Sequence, residues 1–126
     1  MAKRAREVTL GGELRQARNA RGLSLQQLAV RVQKTQAYLS DIELNRRIPA
    51  ETVMADLARE LEVDLDRLMA LGARLGADTE AYLKEHPLAV EVVRAMARTE
   101  LNDDQLRELK GYVERHPAAT SAQPAN

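Results

Sequence analysis

Apolar residues recur at helical spacing along most of the chain, and polar residues fill the positions between them. Leu10, Leu14 and Ala17 stand at i, i+4 and i+7, which places them on one face of a first helix. Similar spacing returns in later segments as far as Val113. Leu and Ala are common and β-branched residues are few, so the pattern predicts an all-α protein.

Polar caps mark the predicted helix starts. Ser24 with Gln27 three residues later forms a capping box, and Asn102 with Gln105 repeats that pattern. Thr35 is expected to cap a third helix. A fourth helix is predicted over residues 51–61, and a fifth begins after a cap at residue 64.

The chain divides into five segments by composition and spacing. Residues 1–8 are polar and basic and predict a flexible arm, and residues 9–71 predict a five-helix domain. A linker is expected at 72–78, and a helical dimerisation or regulatory region at 79–116. Residues 117–126 are small and polar, which indicates a disordered tail. We expect no internal repeat along the chain.

Composition excludes several classes of protein. The chain has no cysteine, which excludes a disulfide framework, a thiolate zinc site and a thiol nucleophile. No apolar run is long enough for a bilayer, and no apolar stretch follows the basic start, so we expect a soluble cytoplasmic protein. His86 and His116 each precede a proline, which is typical of helix boundaries rather than metal ligands. We therefore expect that the protein is not an enzyme and that it has no catalytic residue, metal site or cofactor.

The zero net charge conceals a segregation of charge along the chain. Residues 1–47 hold ten basic and four acidic side chains, a net charge of +6. Residues 48–71 carry −4 and residues 72–126 carry −2. A basic N-terminal third favours a polyanionic partner, although an uneven solvated surface gives the same count.

Two short predicted helices joined by a short turn describe a helix-turn-helix, in which the second helix enters the major groove of DNA. Here the second helix begins after Thr35 and turns its larger apolar side chains inward. Its outer positions carry small or hydrogen-bonding side chains that suit base edges. These candidate base-reading residues are Gln36, Ala37, Ser40 and Asp41.

Four stretches resemble the Cro/C1-type (XRE) helix-turn-helix family. Residues 24–29 read SLQQLA, 35–43 read TQAYLSDIE, 46–49 read RRIP, and 57–68 read LARELEVDLDRL. The resemblance implies a five-helix bundle that binds a palindromic operator in double-stranded DNA as a homodimer, most often as a repressor. It also implies an internal ion pair between Arg18 and Glu43. By the same resemblance, phosphate contacts are expected at Thr35, Arg46, Arg47 and Lys34.

The turn departs from the family pattern. Gln33-Lys34 stands where the family usually has Gly followed by an apolar residue, and Gln33 is strained if that position needs a positive φ. Asn45 replaces a common Gly, which is a mild change for a left-handed cap.

Two further sets of residues are assigned roles from their surroundings. The arm residues Lys3, Arg4 and Arg6 are candidates for contacts with DNA. The C-terminal helices carry more apolar side chains than three short helices need, so we expect them to dimerise. The candidate dimerisation residues are Leu88, Val92, Met96, Leu106, Leu109 and Val113.

The C-terminal region also resembles repressors that are paired with ImmA/IrrE-type zinc metallopeptidases. The similar stretches are GADTEAYLKEHPL at 76–88, VVRAM at 92–96 and LNDDQLREL at 101–109. The resemblance implies that a partner peptidase cleaves this region and releases the promoter. The alternative is an antitoxin whose C-terminal helices bind a toxin while its DNA-binding domain regulates its own operon.

Overall fold

The computed structural model describes residues 8–117 as eight helices, and these residues contain no strand. The predicted all-α class is therefore confirmed for this part of the chain. The helices are α1 Leu10–Ala20, α2 Leu25–Val32, α3 Gln36–Glu43, α4 Glu51–Leu61, α5 Leu65–Leu71, α6 Ala77–Glu85, α7 Pro87–Thr99 and α8 Asp103–Arg115.

The chain forms two compact units that divide between Glu80 and Ala81, inside α6. We call them unit 1 and unit 2 and describe each by itself. α6 begins at Ala77, whereas the spacing predicts linker as far as residue 78. Residues 1–7 of the predicted arm and all but the first residue of the predicted tail lie outside the described residues. No helix within residues 8–117 combines the length and the apolar character that a membrane crossing requires.

Side-chain caps begin most helices of unit 1. The capping box is confirmed, because Ser24 Oγ accepts from the Gln27 amide at 3.0 Å and Gln27 Oε1 accepts from the Ser24 amide at 2.8 Å. Thr35 caps α3 as predicted, by accepting from the Tyr38 amide at 3.0 Å. Asp64 caps α5 in the same way. Each cap satisfies a backbone donor that the first turn of a helix leaves without a partner.

Left-handed residues end several helices. Gly22 has φ of 69° after α1, and Asn45 has φ of 61° shortly after α3. Gln33 ends α2 with φ of 57°, so a side chain with a Cβ atom occupies a conformation that favours Gly. The strain expected at Gln33 is therefore present in the turn.

The core of unit 1 is aliphatic and is built from the five helices α1 to α5. A close approach of two helices shapes it, because a Cβ atom on Gly11 would lie 2.3 Å from the backbone oxygen of Glu43. Only a glycine lets α1 lie this near the end of α3. The buried apolar residues are Leu10, Leu14, Leu28, Ala29, Val32, Leu39, Ile42, Val53, Met54, Leu57, Ala58, Leu61, Leu68 and Met69.

Unit 2 has well-formed helices but an open surface. Pro87 stands in the first turn of α7, and Asn102 with Gln105 forms the predicted capping box of α8. None of residues 81–117 is buried. The apolar faces of these amphipathic helices therefore lie at the surface of the described chain.

A short repeat ends α6 and α8, contrary to the expectation of no internal repeat. The pattern Tyr, three residues, His, Pro occurs at 82–87 and at 112–117. In both copies the histidine Nδ1 lies within 2.9 Å of the tyrosine carbonyl oxygen. The two rings stack with centroids 4.3 Å apart in the first copy and 4.2 Å apart in the second. The apolar pattern alone does not reveal this repeat, because its exposed rings contribute nothing to a buried face.

Candidate nucleic-acid interface

A three-residue turn joins α2 to α3. The Lys34 amide donates to the Ala29 carbonyl at 2.9 Å, and Gln33 supplies the left-handed residue that such a helix end requires. Thr35 then caps α3. Two short helices are thus held at a tight turn, with α3 as the second helix of a helix-turn-helix.

The two faces of α3 differ in chemistry. Leu39, Ile42 and Glu43 are buried on the inner face, within unit 1. The four candidate base-reading residues lie on the outer side, where two are exposed and two are half-buried. The exposed residues are Gln36 and Ala37, and the half-buried residues are Ser40 and Asp41. The structure therefore places all four on a single accessible strip of small and hydrogen-bonding side chains.

Two of the four candidate phosphate residues meet at one aromatic ring. Arg47 Cζ lies 4.7 Å from the centroid of the Tyr38 ring, and Lys34 Nζ lies 5.7 Å from it. A cation over a tyrosine face is attracted by the electron density of the ring. Tyr38 is half-buried and packs against the core, and its ring holds these two cations beside the first turn of α3.

Most cations that the structure describes in the basic N-terminal third have acidic neighbours. Within residues 8–117, five of its arginines stand in ion pairs with carboxylates. Arg21 pairs with Glu62 at 2.6 Å and Arg31 with Glu60 at 3.7 Å, so acids of the second charge segment neutralise them. Lys34 and Arg47 have no such pair within the described residues. The positive charge available to a polyanion therefore concentrates next to α3.

Arg46 and Asp41 lie close to each other at the end of α3. Arg46 Nη1 is 3.7 Å from Asp41 Oδ1, and both side chains are substantially exposed. An exposed pair of this length contributes little to stability, about 0–1 kcal/mol. The arginine is therefore free to exchange this contact for another anion.

A bidentate ion pair fixes α3 against α1. Arg18 Nε donates to Glu43 Oε2 at 2.7 Å, and Arg18 Nη2 donates to Glu43 Oε1 at 3.0 Å. Arg15 approaches the same carboxylate at 3.7 Å, and Arg18 Nη1 also donates to the Leu23 carbonyl. The hydrogen bond that Arg18 donates to the Glu43 carboxylate raises the pKa of Arg18 above its ordinary value. The guanidinium therefore remains charged over the whole range in which proteins are ordinarily handled.

Asn45 connects the loop after α3 to the start of α1. Its Oδ1 accepts from the Gly11 amide at 2.9 Å, and its Nδ2 donates to Thr9 Oγ1 at 3.1 Å. Sequence reasoning identified Asn45 only as a residue that tolerates positive φ. The side chain additionally satisfies the N-terminus of α1, which a glycine cannot do. The arm residues Lys3, Arg4 and Arg6 precede this point and lie outside the described residues.

Comparison with known proteins agrees with this geometry. Residues 14–68 match the family model described as helix-turn-helix. None of the curated proteins matches the chain.

Solved structures of regulators are also similar to parts of the chain. The crystal structure of SinR, a master regulator for biofilm formation, in complex with DNA is 29% identical over 48% of this chain and 98% of that one, with a TM-score of 0.46. The clp gene regulator ClgR from C. glutamicum is 26% identical over 51% of this chain and 83% of that one, with a TM-score of 0.45. A SinR/SinI complex is 25% identical over 86% of this chain and 97% of that one, with a TM-score of 0.47.

Proposed function

We propose that residues 14–68, which match the helix-turn-helix family model, act as a DNA-binding domain of the Cro/C1 (XRE) type, and that this protein is a dimeric repressor that binds a palindromic operator. The observation that supports this most directly is the outer strip of α3 with Lys34 and Arg47 beside it. The strip matches what a major groove accepts, and the cations match the phosphates at its edge. Such a regulator acts in the cytoplasm, where its operator lies.

The outer strip of α3 reads base edges in this proposal. Gln36 stands in the first turn, where its side-chain amide donates to N7 of adenine and accepts from the N6 amine. Ala37 contacts a thymine methyl group, and Ser40 donates to or accepts from either base. Asp41 accepts from a cytosine amine when Arg46 turns to a phosphate.

The residues around the turn hold the phosphates. Lys34 and Arg47 stand over Tyr38 without a carboxylate partner among the described residues, so no ion pair has to be broken before they bind. The Thr35 hydroxyl accepts from a backbone amide and keeps its own hydrogen for a phosphate oxygen. These contacts set the register of the protein on DNA and carry no sequence information themselves.

Unit 2 supplies the dimer contact in this proposal. Four of the six candidate dimerisation residues are exposed, and Met96 and Leu109 are half-buried. A soluble chain gains free energy by covering such apolar surface, and a two-fold dimer does this with one surface used twice. It also places two copies of α3 about one DNA turn apart, which explains a palindromic operator.

The same openness favours a regulatory partner. A helical region without a buried residue is accessible to a zinc metallopeptidase, and cleavage there removes the dimer contact and releases the operator. A toxin that covers the apolar faces of unit 2 is the alternative. Incubation with a metallopeptidase encoded nearby distinguishes the two, since only the first proposal expects cleavage within residues 81–117.

Selection of bound sequences from a random DNA pool tests the proposal. We expect an inverted repeat whose half-site centres are about 34 Å apart along the DNA. Gln36→Ala should cost about 1–3 kcal/mol at one base pair and relax the preference there, while Gln16→Ala on the exposed side of α1 leaves it unchanged. An unchanged preference in Gln36→Ala would remove this residue from the interface.

Phosphate contacts are tested by salt dependence. Arg47→Ala should weaken binding to all sequences alike and lower the slope of log K against log salt by about one. Arg46→Ala is expected to act in the same way. Arg59→Ala, which removes an exposed cation paired with Asp56, serves as the control. A loss confined to one sequence would contradict the phosphate role.

A further inference from the structure

The outer surface of α7 carries a shallow groove of about 330 Å³. It is lined by Leu88, Val92 and Ala95 together with the charged residues Glu91, Arg94 and Arg98. Leu88 is 70% exposed and Val92 is 48% exposed. The groove is thus an apolar strip with opposite charges along one edge.

The spacing along α7 is that of a coiled-coil seam. Leu88, Val92, Ala95 and Thr99 are separated by four, three and four residues, which is the alternation of d and a positions in a heptad. In this frame Glu91 and Arg98 both occupy position g on one flank of the seam, seven residues apart. On the other flank, Ala89 and Met96 both occupy position e.

The flanking residues distinguish the two ways in which a second copy can pack. In a parallel pair, position g faces position e of the partner five residues further on, so Glu91 would meet Met96 of the partner subunit and remain without a cation. In an antiparallel pair, g faces g and e faces e. Glu91 then meets Arg98 of the partner subunit, and Met96 covers Ala89 of the partner subunit. Each contact occurs twice because the interface is two-fold symmetric.

We propose that α7 of one subunit packs antiparallel on α7 of a second copy, with Val92 opposite Ala95 of the partner subunit and Leu88 opposite Thr99 of the partner subunit. This inference rests on the proposed dimer and adds its orientation and register. The small side chain of Ala95 near the two-fold axis lets the two helices approach closely. The paired charges fix the register, since a shift by one turn separates every Glu91 from its arginine.

Charge reversal in the full-length protein tests the register. Glu91→Arg and Arg98→Glu each replace two attractive contacts per dimer by two repulsive ones, so each should raise the dimer dissociation constant about tenfold. The double variant Glu91→Arg/Arg98→Glu restores opposite charges and should return the dissociation constant towards that of the unaltered protein. Lys84→Glu makes the same change from a basic to an acidic side chain on α6, outside the groove, and should have little effect. Sedimentation over a range of concentrations measures all four variants, and helix content by circular dichroism checks that each is folded.

Cysteine crosslinking tests the orientation independently, because the chain has no cysteine of its own. Under mild oxidation, a mixture of Leu88→Cys and Thr99→Cys chains should form a crosslinked heterodimer, while neither chain alone crosslinks efficiently. Self-crosslinking of Leu88→Cys would instead indicate a parallel pair and overturn the inference.

The outcomes separate this inference from the proposed function. If the unaltered protein is monomeric at all concentrations and on operator DNA, the proposed dimer itself is wrong. If the protein is a dimer that all charge reversals leave intact, only the α7 register is wrong. Loss of dimer in the single variants without recovery in the double variant would also overturn the register and would assign these residues to another contact.

Discussion

The helices of unit 1 cover one another's apolar faces, whereas those of unit 2 leave theirs at the surface. Leu57 in α4 is 1% exposed, but Leu88 in α7 is 70% exposed and Val113 in α8 is 59% exposed. Both units use the same local devices, namely capping boxes, left-handed ends and amphipathic spacing. The difference shows that helix formation is decided locally, while burial depends on whether distant helices meet. Unit 1 is accordingly expected to be stable by itself, and unit 2 to depend on a partner surface.

Truncation of one leucine in each unit should give the largest contrast. Leu57→Ala empties part of the core and should lower the free energy of unfolding by about 3 kcal/mol. Leu88→Ala removes a side chain that is mostly in solvent, so it should leave the unfolding of unit 1 nearly unchanged and weaken only the proposed dimer. Urea unfolding followed by circular dichroism, with sedimentation for the dimer, measures both. Equal losses of stability would show that the two units unfold as one.

Alanine at two helical glycines should have opposite effects. Gly11→Ala drives a Cβ atom into the backbone of Glu43, and the clash should cost about 2–3 kcal/mol. Gly111→Ala meets only the flexible end of Arg115 at 3.1 Å, so its better helix propensity should stabilise α8 by about 0.5–1 kcal/mol. Gly12→Ala, next to Gly11 on α1, is the matched control, since its Cβ atom would approach only Thr9 Oγ1, at 3.1 Å. Thermal unfolding of the three variants checks the order, which a destabilised Gly111→Ala would contradict.

Removal of one arginine from an ion pair should matter only where the pair is enclosed. Arg18→Met keeps the aliphatic stem but leaves the buried Glu43 carboxylate with only the longer contact to Arg15, and it should cost about 2 kcal/mol. Arg107→Met breaks the exposed pair with Asp104 and should cost less than about 0.5 kcal/mol. Because the pKa of Arg18 is raised, the arginine stays protonated throughout the acid and neutral range. Deprotonation of Arg18 therefore removes the stabilising ion pair only in strong alkali. Unfolding curves of both variants at neutral pH test the contrast.

The smallest effect is expected at the left-handed helix ends. Gln33 and Glu100 have φ of 57° and 56° at the ends of α2 and α7. Glycine at either position relieves the strain, and Gln33→Gly should stabilise unit 1 by about 0.5–1 kcal/mol. Glu100→Gly should raise the helix content of unit 2 without moving the main unfolding transition. A shift of the main transition by Glu100→Gly would argue that the units are coupled.

The sequence predicted much of unit 1 because its signals are local. The caps at Ser24 and Thr35 are satisfied by residues three positions away, so the starts of α2 and α3 can be predicted from short stretches of sequence. The outer strip of α3 also follows from helical spacing alone. By contrast, the start of α6 at Ala77 involves its amide donating to Glu51 Oε1 at 3.1 Å, a contact between residues far apart along the chain. The linker boundary based on composition therefore extends two residues into a helix.

Only part of the candidate site was predicted, because some of its contacts join residues that are far apart in the sequence. Lys34 and Arg47 were both predicted to contact phosphate, but their shared position over the Tyr38 ring was not predicted. Lys34 precedes α3 and Arg47 follows it, so the contact depends on the fold of the whole turn and helix. The second role of Asn45, as a partner for the start of α1, spans 34 residues and has no signal in the local pattern. The sequence does carry one signal for the contact over Tyr38. The tyrosine stands three residues after a threonine cap and has basic residues on either side in sequence.

The sequence by itself determined where the helices of the DNA-binding region begin and which side chains of α3 face outward, because both follow from contacts within a few residues. Only the tertiary structure decided which cations remain available to DNA, because charges far apart in the chain neutralise one another when helices meet. It also decided that Gly11 lies where α1 closely approaches the end of α3 and that the apolar faces of unit 2 stay open. Burial and charge pairing are properties of surfaces, and surfaces exist only after the chain has folded.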